Sequence, residues 1–179
     1  MTSLALPAAT VKATSAKGFD ISSRTRIAVM VVAIALTSAT LVALFRGLSG
    51  MAPAHPNLRE IAIVIHVSTV LPAIPLGGYL LLARKGGTLH KRLGKLWLAL
   101  MVTTALSALF IQTGGSFSFI HLFVPLTLWS SYKVIASARR GDFDTHRKEI
   151  LGLYLGALTI PGLVAFALPG RLMNVWLFW

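Results

Sequence analysis

The chain is 179 residues long, 55% hydrophobic and only 12% charged, with a mean hydropathy of +0.76. A soluble domain of this length cannot bury so much apolar side chain, so a large share of it must face lipid. The formal net charge of +12 does not point to nucleic acid, because the cations lie between apolar segments and no nucleic-acid-binding motif accompanies them.

Residues 1–26, rich in Ala, Ser and Thr, read as a flexible cytoplasmic tail, and residues 27–179 as a single transmembrane domain. Five apolar runs in that domain, 27–45, 61–83, 89–111, 119–138 and 150–168, approach the ~20 residues that cross a bilayer. No strand-length alternation appears, and backbone groups in lipid must be satisfied internally, so all five are expected to be helices. The first run is longer than the core of a secretory signal and is expected to be a retained span.

The second run, "IVIHVST" at its start, carries His66, Ala73 and Gly77 at helical spacing and is interrupted by Pro72 and Pro75. The third opens on "HKRLGKLW" after a cap at Thr88, the fourth on "FSFIHLF", and the fifth on "FDTHRKEI" with Asp144 or Thr145 as its cap. The remaining histidine, His55, lies in an outer "PAHP" loop and is expected to be solvated. The closing "NVWLFW" suits an aromatic anchor at the outer interface.

Orientation follows from the cations. Lys12, Lys17, Arg24 and Arg26 precede the first run; Arg84, Lys85, Lys91, Arg92 and Lys95 surround the second connection; Lys133, Arg139, Arg140, Arg147 and Lys148 surround the fourth. That puts 14 of the 17 cations on one side, with Arg46, Arg59 and Arg171 on the other. The positive-inside rule makes the rich side cytoplasmic, with the N-terminus inside and the C-terminus outside a bacterial inner membrane.

Four histidines then fall at two depths. His66 and His121 sit near the outer ends of the second and fourth runs, and His90 and His146 open the third and fifth on the inner side. The separations match, 24 residues from His66 to His90 and 25 from His121 to His146. Ionisable residues in apolar runs are costly and usually face a functional interior. Two histidines facing each other across a helix bundle supply both axial ligands of a haem iron, and saturating the iron favours electron transfer over oxygen binding. At 1.5 Å per residue the two sites would lie about 20 Å apart along the membrane normal.

Supporting residues are candidates too. Gly94, one turn after His90, and the Gly152–Gly156 pair below His146 leave room for a flat macrocycle or for close helix packing. Lys91, Arg92 and Arg147 stand where they would meet its carboxylates. Trp97 and Tyr132 are candidates for an electron path, with ordinary packing as the alternative.

Other chemistries fare worse. All five acids, Asp20, Glu60, Asp142, Asp144 and Glu149, lie outside or at the ends of the runs, whereas ion-coupled transporters usually keep a carboxylate near the midplane. The chain has no cysteine, which excludes disulfides, iron–sulfur ligation, c-type haem attachment and thiol nucleophiles. No metal-hydrolase spacing occurs.

The combination of "HKRLGKLW", "HRKEILGLY" and a lone histidine in each preceding helix resembles a family of uncharacterised bacterial membrane proteins known as a domain of unknown function (number 2306). The resemblance covers roughly residues 59–168 and leaves the first run outside. The wider pattern is similar to the transmembrane di-haem cytochrome b superfamily, which includes ascorbate-reducible cytochromes and ferric reductases. That similarity implies an all-α core of the last four spans holding two b-type haems, an outer one on His66 and His121 and an inner one on His90 and His146. It further implies a quinone or a redox protein as electron partner. A haem-free accessory subunit of a larger complex and a small transporter are the two rival expectations.

Overall fold

The computed structural model describes residues 21–55, 59–112 and 118–179, and every regular element among them is helical. Helix α1, Ser23–Leu48, starts four residues before the apolar run, because the Ser22 hydroxyl accepts from the Thr25 amide at 3.2 Å and caps a turn bearing Arg24 and Arg26. Lys12, Lys17 and Asp20, and most of the expected tail, lie outside the described residues. Helix α2, Ile61–Leu82, contains Pro72 and Pro75, and α3, Thr88–Ala108, follows a turn through Gly86 at a φ of +89°.

A 3-10 turn, Phe119–Leu122, leads into α4, Phe123–Arg140, which ends on Gly141 at a φ of +72°. Helix α5, Phe143–Leu151, continues through a π-helical segment, Gly152–Leu158, into α6, Thr159–Ala167, and a short α7, Leu172–Phe178, closes the chain. Two expected caps are corrected. Asp142 caps α5 by accepting from the Thr145 amide at 3.0 Å, since an aspartate must stand before the first helical residue to reach that amide. Gly87, without a side-chain bond, stands at the cap of α3, and Thr88 is its first helical residue.

Four helical stretches are long and apolar enough to cross a membrane: Ser23–Leu48, Ile61–Leu82, Phe119–Arg140 and Phe143–Ala167. The expected run 89–111 is not one of them, because every 18-residue stretch of α3 holds Lys91, Arg92 and Lys95. Large apolar side chains along α1, among them Ile27, Val31, Ile34, Leu41 and Phe45, are exposed on the molecule, as a lipid-facing surface requires.

The later helices close into a ring. Helix α2 packs on α3, α3 on α4, α4 on α5 and the π segment, and the π segment returns to α2; α1 and α7 pack together outside it, against α2 and α6. Neither α2 with α4 nor α3 with α5 is among the substantial contacts of the described residues, so these pairs stand at opposite corners. The buried face of α4 is small and polar: Thr127, Ser130, Ser131 and Ser137 lie beside Val124 and Val134. Ser137 and Thr127 return their hydroxyls to the carbonyls of Lys133 and Phe123 in the same helix, both at 2.6 Å. Small residues let backbones approach where no hydrophobic effect drives helices together.

The centre of the ring is filled by Trp97 and Tyr154, 1% and 0% exposed. Their polar atoms bond to neighbouring carbonyls of α2: Trp97 Nε1 donates to Ala73 O at 3.0 Å and Tyr154 Oη to Ile74 O at 3.2 Å. A Cβ placed on Gly77 would lie 2.6 Å from both Trp97 Nε1 and Tyr154 Cδ2. The small residues following His66 therefore seat two aromatic rings of the protein itself. Tyr132 faces outward, stacked on Trp129 with ring centroids 5.7 Å apart, which removes it from any path through the core.

The "NVWLFW" ending is also not a simple surface anchor. Trp176 is 3% exposed and lies flat against Gly47 of α1, where a Cβ would come within 2.2 Å of its ring. Arg46 donates to the Trp176 carbonyl at 3.0 Å and to that of Trp179, satisfying the end of α7. Phe178 and Trp179 stay exposed.

Candidate functional site

The two ends of the ring differ in chemistry. At one end the start of α2, the finish of α3, the 3-10 turn before α4 and the finish of α6 surround a cavity of about 370 Å³. Its wall is mostly aliphatic and aromatic, with residues such as Val67, Met101, Val124 and Phe166. The volume falls in the ~300–1,000 Å³ range of small-molecule and cofactor sites. Polar groups are few: His66, the threonines 40, 104 and 127, and Arg171.

His66 is positioned from α3. Its Nδ1 lies 3.0 Å from Thr104 O and 3.3 Å from Ser107 Oγ. A carbonyl only accepts, so Nδ1 carries the proton and Nε2 of the neutral ring carries the lone pair. Ser107 Oγ and Thr69 Oγ1 tie the same turn down, to Thr104 O at 2.9 Å and Thr104 Oγ1 at 2.8 Å. A ring N–H held by a backbone carbonyl, with the other nitrogen left for a metal, is the usual outer arrangement of a ligating histidine.

His121 behaves differently. It sits in the 3-10 turn rather than inside the apolar helix, and the Ser118 amide donates to its Nδ1 at 3.0 Å. Ser118 O and Oγ lie 3.1 and 3.3 Å from the same atom. The amide can only donate to Nδ1 and the carbonyl can only accept from it, so the Ser118 turn accommodates either neutral tautomer. His121 is not part of the cavity wall, so His66 and His121 do not meet in it.

The opposite end is basic. His146, in the first turns of α5, donates from Nδ1 to Val134 O of α4 at 3.0 Å, which leaves its Nε2 with the lone pair as in His66. His90, in the first turn of α3, has a buried Nδ1 with no hydrogen-bond partner in the described structure. The two histidines stand on helices at opposite corners of the ring, both at its basic end.

Around this pair the expected supporting residues divide. A Cβ added to Gly94, Gly152 or Gly156 would meet nothing within 4 Å, so there is open space beside each. Lys91 and Arg92 are exposed. Arg147 is engaged with Asp144 at 2.8 Å. A pair the sequence reading did not single out, Lys133 of α4 and Glu149 of α5, forms an ion pair one residue from Val134 and one turn from His146. A small second cavity, about 280 Å³, lies at the α2–α3 turn between Tyr79, Arg84, Lys85 and His90.

Among the described residues no group of three or more His, Cys, Asp or Glu side chains is gathered as a metal cage. His55 lies outside both ends, with its Nε2 3.2 Å from Gly170 O, and pins the α6–α7 turn.

Residues 63–174, well over half of the chain, match the family described as "Predicted membrane protein (DUF2306)". The chain belongs to that family. No curated protein and no solved structure matches it.

Proposed function

We propose that the protein is a transmembrane electron carrier of the inner membrane that holds b-type haem through pairs of histidines, one pair near each face. The observation that carries this reading is shared by His66 and His146. Each, at its own end of the ring, gives its Nδ1 proton to a carbonyl of the adjacent helix and keeps Nε2 for a ligand. Simple helix-end histidines have no need of such a support.

At the basic end His90 and His146 would be its axial ligands, and nothing stands within 4 Å of a Cβ placed on Gly94, Gly152 or Gly156, where a macrocycle would need room. At the cavity end His66 is ready and His121 has to leave the Ser118 turn to join it. The bound group supplies a one-electron couple; the chain orients the imidazoles and excludes water. Charge placement supports the reading of α3 as a fifth span with the N-terminus inside: its three cations all lie in its first turns, where long side chains reach the interface. The electron partner on this reading is a quinone or a redox protein.

The test is a dithionite-reduced minus oxidised spectrum of the detergent-purified protein from haem-replete cells. Sharp b-type bands are expected, halved in a His90→Ala, His146→Ala double variant and halved separately in His66→Ala. A colourless, well-folded protein overturns the reading.

A further inference from the structure

The cavity end contains a charge without a counter-charge. Arg171 caps the start of α7 and is half-buried on the cavity wall. Its guanidinium makes no hydrogen bond or ion pair with any described residue; the ion pairs Lys133–Glu149 and Arg147–Asp144 are at the other end. Arg46, its nearest equivalent in sequence position at this end, is by contrast committed to the carbonyls of α7. A cation beside an apolar space is costly unless something pairs it.

The rest of the cavity specifies the partner. Apart from three threonine hydroxyls the wall below Arg171 is apolar, drawn from α1, α2, α3, α4, the π segment, α6 and α7, and it includes His66, whose Nε2 carries the lone pair of the ring. A single guanidinium is a planar fork that matches the two oxygens of a carboxylate; a phosphate dianion calls for a second cation, and the wall offers none.

We propose that this cavity binds a carboxylate-bearing apolar molecule, with its acid on Arg171 and its apolar body extending to His66. Two sources have this chemistry, a porphyrin with its propionates and a fatty acid from the surrounding membrane. The inference deepens the electron-carrier reading at the outer site, where a porphyrin would be the occupant, but it requires no iron.

The experiment uses iron-free ligands. Protein purified in detergent is equilibrated by dialysis against protoporphyrin IX or its dimethyl ester, and in parallel against oleate or methyl oleate, with empty micelles as the reference. In at least one pair the acid should bind about ten- to a hundredfold tighter than its ester, the range expected for a charge-assisted hydrogen-bond pair. Arg171→Gln should erase that preference, Arg171→Lys should keep part of it, and His66→Ala should weaken acid and ester together, leaving their ratio intact. A thermal melt of each variant verifies the fold.

Preference within the porphyrin pair identifies a haem-like occupant; preference within the oleate pair identifies a membrane acid. Equal binding of acids and esters to the wild-type protein, or a preference that survives in Arg171→Gln, overturns the proposal. A protein with no haem bands that still prefers an acid through Arg171 keeps this proposal and sinks the electron-carrier reading.

Discussion

Glycines and histidines in this chain take their roles from what lies across a helix interface. Gly77 and Gly94 illustrate the split: one is pressed by Trp97 and Tyr154, the other faces open space. A methyl on Gly77 must displace two rings whose polar atoms are fixed on Ala73 O and Ile74 O, and neither ring can move without losing a buried hydrogen bond. Gly77→Ala is therefore expected to destabilise the protein by about 2 kcal/mol, the middle of the range for overpacking a filled core. Gly94→Ala should be neutral or slightly stabilising in the haem-free protein, since alanine favours the helix. Thermal melts of the two variants in the same detergent check the contrast; equal melting points would refute it. That His66, His90, His121 and His146 stand in or just before the first turns of helices was legible in the sequence. Which ring nitrogen His66 and His146 use was not, because Thr104 and Val134 decide it, and both belong to other helices. Tyr154 went unnoticed for a related reason: in "ILGLYLGAL" nothing separates a tyrosine facing the core from one at an interface.

At the scale of elements, the join between α4 and α5 carries the most chemistry. Three bonds cross or brace it: Asp142 on the Thr145 amide, His146 on Val134 O, and Lys133 on Glu149. The ion pair is asymmetric, with the Lys133 side chain 38% exposed and that of Glu149 15%. Removing one partner strands the other, and the cost depends on how far the survivor is from water. Lys133→Gln leaves a largely buried carboxylate and is expected to cost about 2 kcal/mol, allowing for partial screening. Glu149→Gln leaves an ammonium that reaches solvent and should cost well under half of that. Denaturant or thermal unfolding of both variants measures the difference, and a larger loss in Glu149→Gln would contradict the burial argument. The apolar runs foretold the first four long helices to within a few residues, but the helix of the run 150–168 begins seven residues earlier, at Phe143, because its first turns are polar and capped by Asp142. The π segment and α7 were not foretold. The first depends on Tyr154 reaching α2 and on Thr159 Oγ1 taking Tyr154 O at 2.8 Å, and the second is a seven-residue helix held by α1 through Gly47 and Arg46.

At the scale of the whole molecule, the arrangement in the membrane turns on α3. It packs on both α2 and α4 within the ring, so it shares whatever depth they have. Yet by length and composition it is the one long helix of the described residues that does not qualify as a span, on account of Lys91, Arg92 and Lys95. If the ring stands upright in the bilayer, these three cations lie at the cytoplasmic interface with their stems along the helix, and the remaining 13 residues to Ala108 rise about 20 Å. That reaches about two thirds of the way across a hydrocarbon core of ~30 Å, and local thinning with the snorkelling of the three cations covers the remainder. The absence of native cysteine makes the question directly measurable, because a single introduced thiol is the only one to react. Gly87→Cys, just before α3, and Arg140→Cys, at the end of α4, should be labelled by a membrane-impermeant maleimide only after the inner membrane is opened. Gln112→Cys, beyond α3, and Ser49→Cys, beyond α1, should be labelled in spheroplasts with that membrane intact. Labelling of Gly87 and Gln112 variants from the same side would mean that α3 does not cross, and the two histidine pairs would then lose their assignment to opposite faces.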